Sequence, residues 1–345
     1  MIQTQRQLLA FLTAIEAETE LAIDTEFKRT NTYYPMLCLL QIASKNHIDC
    51  IDVLALDNLD AVFAKLYRTD CLWVVHAARQ DIEALYQLSG QLPKQLLDTQ
   101  IAAALLGYPM QISYQALNER LHNIHLQKSY TRFDWTIRPL PDDAIAYALD
   151  DVRYLLKNYQ QLQAQLRLES KLAWVKEDSA RLLNSQLYHT PIEQAWRKLK
   201  GLAHLPPTAQ LLAAQLAAWR EYQAQNKNKP RRWIMTDNKL IGYANKKPAL
   251  SAKMQQQFEH FLHQHDAIAH IKPDIVKNKS LSAAEKAQKI RLQNLIANKA
   301  KQYNLTPELL ANSQSILRYI RGERTTVFCQ GWRYHLLEEA LKHAK

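Results

Sequence analysis

Along the first 90 residues, short apolar runs alternate with segments whose apolar positions recur every three or four residues. ELAIDTEF (20–27), MLCLLQIAS (36–44) and HIDCIDVLA (47–55) have the apolar and β-branched content of three consecutive strands, with the loop KRTNTYYP between the first two. Their short connections predict hairpins. NLDAVFAKLYR (58–68) then reads as a helix, CLWVVHA (71–77) as a buried strand, and RQDIEALYQLSG (79–90) as a helix closed by Gly90. The order β-β-β-α-β-α predicts a mixed sheet with helices on its faces, an α/β layer architecture rather than a barrel. Helical patterning continues through TQIAAALLG and SYQALNERLHN to a long helix starting at Pro141.

From about Thr190 no segment reads as a strand. PIEQAWRKLKG, TAQLLAAQLAAWREYQAQN, DNKLIGYANKKP and KMQQQFEHFLHQ read as amphipathic helices, broken at Pro206-Pro207 and across 226–230. IKPDIVKNKSLSAAEK (271–286) marks a boundary, after which AQKIRLQNLIANKAKQYNL, PELLANSQSILRYIRG and GWRYHLLEEALKHA form a further helical set. A chain of 345 residues fits two or three domains of this kind.

Composition adds two constraints. No run approaches 18 apolar residues, the N-terminal stretch is amphipathic, and Cys38, Cys50, Cys71 and Cys329 lack disulfide or zinc spacing. The expectation is a cytoplasmic protein with reduced thiols. The net charge of +11 is also unevenly placed: residues 1–189 hold 18 Lys and Arg against 22 Asp and Glu, whereas 190–345 hold 26 against 11. Such a basic half is the electrostatic footprint of a polyanion binder, and equally of a lysine-rich solvated surface.

Five residues carry the candidate chemistry. Asp24 and Glu26 are two apart on the first strand, so alternation puts both carboxylates on one face and Ile23, Thr25 and Phe27 on the other. Asp81 lies on the helix after VVHA, and Tyr147 and Asp151 are spaced i, i+4 on AIAYALDDVRYLL. Taken alone, each signal reads as an exposed strand edge or an ordinary helix face. In order and at these element positions, the set can converge at one sheet edge, where carboxylates without His or Cys suit Mg²⁺ or Mn²⁺. Asp150 points roughly 100° away around the helix and reads as solvated. Asp142 and Asp143 favour the helix dipole after Pro141. His76 reads as a satisfied buried histidine.

The D-x-E pair Asp24/Glu26, H-A-x-x-x-D ending in Asp81 and Y-x-x-x-D of Tyr147/Asp151 resemble the three exonuclease motifs of the DEDD superfamily. DTEFKRTNTYYP and KSYTRFDWTIRPL further resemble the bacterial ribonuclease D family, in its tyrosine subgroup, because Ala146 stands where the histidine subgroup carries His. AWRKLKG with the Pro-Arg-Arg segment, and PELL with GWR, are similar to that family's two helicase-and-RNase-D C-terminal (HRDC) domains. The resemblance covers the whole chain. It implies an α/β, ribonuclease H-like, mixed-sheet exonuclease domain (1–185) followed by two all-α helical-bundle HRDC domains (190–270 and 280–345). It also implies a 3′–5′ exoribonuclease that trims tRNA precursors and other structured RNAs with 3′ tails, releasing nucleoside 5′-monophosphates by two-metal hydrolysis. Asp24 would bridge both ions, Glu26 and Asp151 would hold the one that activates water, and Asp81 would support the other. With an ordinary pKa near 10, Tyr147 is a poor base and would orient the water instead. A DNA 3′ exonuclease and a non-catalytic RNA-binding scaffold are the alternatives.

Candidate RNA contacts are Lys28, Arg29, Tyr33 and Tyr34 beyond the first strand, Lys128, Arg132 and Arg138 around Trp135, and Lys227, Lys229, Arg231, Arg232 and Trp233 in the basic half. On this reading a chain ending near residue 189 keeps the catalytic acids and loses the RNA-holding surface.

Overall fold

The computed structural model describes residues 1–127, 130, 132–273 and 280–342. Contacts divide it into two compact units: 1–27 with 37–184 and 280–345, and 28–36 with 185–279.

The first unit is built on a five-stranded sheet in the order β3-β2-β1-β4-β5, with β1 Glu20–Lys28, β2 Met36–Ala43, β3 Ile48–Asp52, β4 Leu72–Val75 and β5 Gln95–Asp98. β2 and β3 pair antiparallel, whereas β4 runs parallel to both β1 and β5. The sheet is therefore mixed, as the pattern predicts. β5 has no counterpart in the sequence reading, because four residues are too few to show a period and they run directly into an apolar helix. The third strand is shorter than its apolar run: at Val53 the chain turns into a 3₁₀ segment, where the Asp52 carboxylate accepts the Leu54 N–H.

Around the sheet lie α1 (Gln5–Ala14), α2 (Asp60–Leu66), α3 (Arg79–Ser89), α4 (Thr99–Leu105), α5 (Tyr114–His122), α6 (Asp142–Arg153), α7 (Leu155–Leu168) and α8 (Leu172–Ala180). Gly90, at φ 66°, ends α3 as expected, its N–H bonded to the Tyr86 carbonyl.

The second unit contains α9 (Pro207–Asn226), α10 (Arg231–Ile234), α11 (Asp237–Ala244), α12 (Ala252–Gln264) and α13 (Asp266–Ala269). Its core gathers Ala213, Leu216, Ala217 and Trp219 of α9 with Leu240, Phe258 and Phe261. PIEQAWRKLKG forms a 3₁₀ segment at Ile192–Lys198 rather than the expected α-helix. The segment is bounded by Pro191 and the extended Leu199. Residues 28–36, which span the loop between β1 and β2, belong to this unit. There Asn228 Oδ1 accepts the N–H groups of Tyr33 and Tyr34, and the Tyr33 hydroxyl donates to buried Glu221, whose carboxylate also pairs with Arg231.

The last helices, α14 (Ala283–Gln302), α15 (Pro307–Leu310), α16 (Ser313–Ile320) and α17 (Gly331–Lys342), pack in the first unit. Leu292, Ile296, Phe328 and Trp332 share one apolar cluster with Leu97 of β5, Ala102 of α4 and Leu162 of α7. Trp332 stacks on Trp174 with ring centroids 4.4 Å apart. Arg333 grips Asp178 through two hydrogen bonds of 2.5 and 2.9 Å, and the buried Lys171 ammonium donates to the Leu105 and Tyr303 carbonyls. Gly331 allows the approach, since a Cβ there would lie 1.7 Å from the Glu177 carboxylate. A chain ending near residue 189 would therefore lose part of the core that surrounds its own sheet, which corrects the expectation that such a truncation spares the nuclease half.

Charge follows the units more sharply than the halves. The first holds 27 Lys and Arg against 27 Asp and Glu; the second holds 17 against 6, the whole of the net +11. Among the described residues no helix is long and apolar enough to cross a membrane.

Candidate active site

Asp24 and Glu26 lie near the C-terminal end of β1, Asp81 on the first turn of α3, and Tyr147 and Asp151 on α6. All five line one cavity of about 460 Å³, together with His76, Gln80, Tyr114, Phe133 and Trp135. One carboxylate oxygen each from Asp24, Glu26 and Asp151 falls within 4.8 Å of the others. The convergence follows from topology: β1 and β4 are parallel neighbours, so the loops leaving their carboxyl ends open at the same sheet edge, where ligands of open α/β sheets bind.

Thr25 and Phe27 also line the cavity, rather than facing away as alternation suggested. β1 pairs with β4 only as far as Ala22–Val74, so its last residues stand clear of that neighbour. Buried Thr25 donates its hydroxyl to Asp81 Oδ1 at 2.6 Å, fixing that carboxylate.

These acids crowd one another in a partly buried space. Burial, then repulsion from Asp81, Asp151 and Glu26, holds Asp24 well above the ordinary carboxylate range. Burial with repulsion from Asp151 and Asp81 pushes Glu26 up to about 9. Burial raises Asp81 to about 7 against the hydrogen bond from Thr25, and burial with the charge of Asp150 raises Asp151 to about 7. The three clustered carboxylates are a hard oxygen donor set without His or Cys, and a divalent cation would relieve both their repulsion and their desolvation. The donor chemistry fits Mg²⁺ or Mn²⁺.

The Tyr147 ring lies 6.2 Å from Trp135 and 5.8 Å from Tyr130, centroid to centroid. Trp135 is buried and packs with Cys38, Leu39 and Ala148. His76 engages both ring nitrogens, with Thr99 Oγ1 at 3.0 Å and the Ile112 carbonyl at 2.9 Å, and burial holds it below its ordinary range. Asp150 pairs with Arg153 on the surface. Asp142 and Asp143 occupy the first turn of α6.

The candidate RNA contacts divide. Arg138 is committed to buried Asp52 in a bidentate pair of 2.5 and 2.7 Å and also donates to the Trp135 carbonyl, so it anchors structure rather than reaching for phosphate. Burial alone would raise the Asp52 carboxyl, but Arg138 and Gln3 outweigh it and hold it below the usual range. Arg231 is likewise corrected: its guanidinium is held by Glu221 and lies 5.2 Å from the Tyr33 ring, whose hydroxyl is already bonded. Arg132 is exposed beside the cavity-lining Phe133. Lys227, Lys229, Arg232 and Trp233 are exposed in the second unit, with the Lys229 ammonium 5.8 Å from the indole centroid. Lys28 and Arg29 open the loop carrying Tyr34, and Lys128 lies outside the described residues.

A family model described as 3′–5′ exonuclease matches residues 1–167, and one described as HRDC domain matches 209–257. The chain is 33% identical to ribonuclease D of Bartonella henselae over 91% of this chain and 82% of that one, and 30% identical to ribonuclease D of Nitrobacter hamburgensis over 100% and 95%. The crystal structure of Escherichia coli RNase D, described as an exoribonuclease involved in structured RNA processing, superposes with a TM-score of 0.85 at 25% identity, covering 100% of this chain and 97% of that one. With Asp24, Glu26 and Asp151 gathered at one sheet edge and similarity running nearly end to end, the chain belongs to the ribonuclease D family of 3′–5′ exoribonucleases.

Proposed function

We propose that this exoribonuclease trims the 3′ ends of structured RNAs, tRNA precursors chiefly, in the cytoplasm, releasing nucleoside 5′-monophosphates by two-metal hydrolysis. The observation that carries the reading is the meeting of Asp24, Glu26 and Asp151 within 4.8 Å, with Asp81 and Tyr147 on the same cavity wall. Asp24 would serve both ions, Glu26 and Asp151 one of them, and Asp81 the other through water. Bound there, the ions would lower the pKa of water and neutralise charge on the phosphate oxygens. Tyr147 would aim the attacking water through its hydroxyl, and Thr25 keeps Asp81 in place. The buried thiols of Cys38, Cys50 and Cys71 support a reducing compartment.

We also read residues 1–185 as the exonuclease domain, 190–270 as a first HRDC domain and 280–345 as a second. The basic balance of the second unit, with Trp233 exposed beside Lys229, supports RNA holding by that unit.

The test is degradation of a 5′-labelled RNA with a 3′ tail beside DNA of the same sequence, with Mg²⁺ or Mn²⁺ and with Asp24→Asn as control. Stepwise loss of RNA by the unaltered chain alone supports the reading. Preferential DNA loss would make it a DNA exonuclease, and binding without cleavage a scaffold.

A further inference from the structure

We propose that Asp98 is a positioning residue for the acidic cavity, acting through the turn that launches α3. The inference rests on the reading of that cavity as a metal site. Asp98 ends β5 and is 3% exposed. Its Oδ1 accepts the N–H of Ala77 at 3.0 Å and of Gln100 at 2.8 Å, and its Oδ2 accepts the N–H of Ala78 at 2.9 Å. The Asp98 backbone N–H donates to buried Ser179 Oγ at 3.1 Å. One carboxylate thus ties the start of α4 to the segment connecting β4 with α3.

That segment needs holding. Ala77 has φ 59°, a left-handed conformation that costs any residue with a Cβ and persists only where its surroundings enforce it. The N-cap of α3, Ala78, makes no side-chain cap. Asp98 supplies what the local sequence lacks: two acceptors for consecutive N–H groups, and a negative charge at the positive end of the helix dipole. Asp81 stands three residues beyond Ala78, and its carboxylate is held by Thr25 from the other side. A turn that relaxes to an ordinary backbone conformation rotates α3 and breaks the Thr25–Asp81 bond. Outer partners of ligating residues act in this manner, and losing one commonly lowers metal affinity by roughly 10- to 100-fold.

Asp98→Asn replaces one acceptor with an NH₂ group facing an N–H. Titrating the metal-free full chain with Mn²⁺ by calorimetry should show an affinity loss of roughly 10- to 100-fold. Hydrogen exchange of the metal-free protein should show faster labelling across 76–82, while the rest of the sheet keeps its protection. Adding Ala77→Gly, which makes the left-handed turn easy, should recover most of the lost affinity, a rescue that a merely stabilising role would not give. Unchanged affinity and exchange in Asp98→Asn, or no recovery with Ala77→Gly, overturns the proposal. If Asp98→Asn does not fold, Ala77→Val strains the same turn with Asp98 retained, and an unaltered Mn²⁺ affinity there is equally fatal. If the unaltered chain binds no Mn²⁺, the metal reading fails by itself, and protection across 76–82 still decides the role of Asp98.

Discussion

Replacing Arg333 with Met should cost the first unit about 3 kcal/mol, at the low end of the roughly 3–5 kcal/mol expected when one partner of a buried ion pair is removed. Both side chains are 7% exposed, and the guanidinium makes a two-pronged contact with Asp178, donates to the Leu309 carbonyl and lies 4.3 Å from the Trp332 ring centroid. Methionine fills similar volume, so the loss is mainly the uncompensated charge of Asp178. Arg181, 3.6 Å from the same carboxylate, offsets part of it, which favours the lower figure. For a unit of this size about 3 kcal/mol corresponds to a fall in Tm of roughly 6–12 °C. Asp178→Leu combined with Arg333→Met removes both charges and should regain most of the loss. Thermal melts of the three proteins provide the measurement. A single variant melting within about 2 °C of the unaltered chain, or a double variant no better than the single, would refute the view that this pair fastens α17 to α8.

Asp151→Asn should weaken both Mn²⁺ binding and turnover, whereas Tyr147→Phe should slow turnover with little change in Mn²⁺ affinity; identical titration curves and rate losses would remove that division of labour. The raised values of Glu26, Asp81 and Asp151 predict a pH effect on the metal-free protein. Folding favours their protonated forms, so this stabilisation is full below about pH 4 and is lost as pH rises through about 7 and then about 9. Melting in a chelator should therefore worsen across that window and flatten with saturating Mn²⁺, and parallel pH profiles with and without metal would contradict it. Changing Lys227, Lys229 and Arg232 to Gln should lower the slope of log K for RNA against log salt by up to about three contacts' worth, while Arg231→Gln should instead lower stability through Glu221. An unchanged slope would count against this face as an RNA holder.

The sequence reveals the acids more readily than their supports. Asp24, Glu26, Asp81, Tyr147 and Asp151 announce themselves through fixed spacing on elements whose period is strong, and the structure brings them together. Asp98 and Thr25 carry no such signal. Each matters because of a partner 20 or more residues away, and neither alternation nor periodicity encodes a tertiary hydrogen bond. The same blindness explains Arg138 and Arg231. A cation is visible in the chain, but Asp52, 86 positions from Arg138 and wholly buried, is visible only in the fold. The amphipathic helices after 280 show an apolar face without showing what covers it, so their place against the sheet core could not be read in advance.

The assignment of residues 28–36 to the basic unit bears on how far the chain can be divided into interchangeable parts. A module inserted at one point can be excised by joining its two ends. Here the chain passes from one unit to the other at 27/28, 36/37, 184/185 and 279/280, and only Phe27 separates Glu26 from the first of these passages. Deleting 185–279 would leave Tyr33 without Glu221 and the Tyr33 and Tyr34 amides without Asn228, removing the partners that hold a loop contiguous with β1. The basic unit is thus stitched into the nuclease rather than appended to it, and exchanging it between relatives requires moving two segments of sequence together.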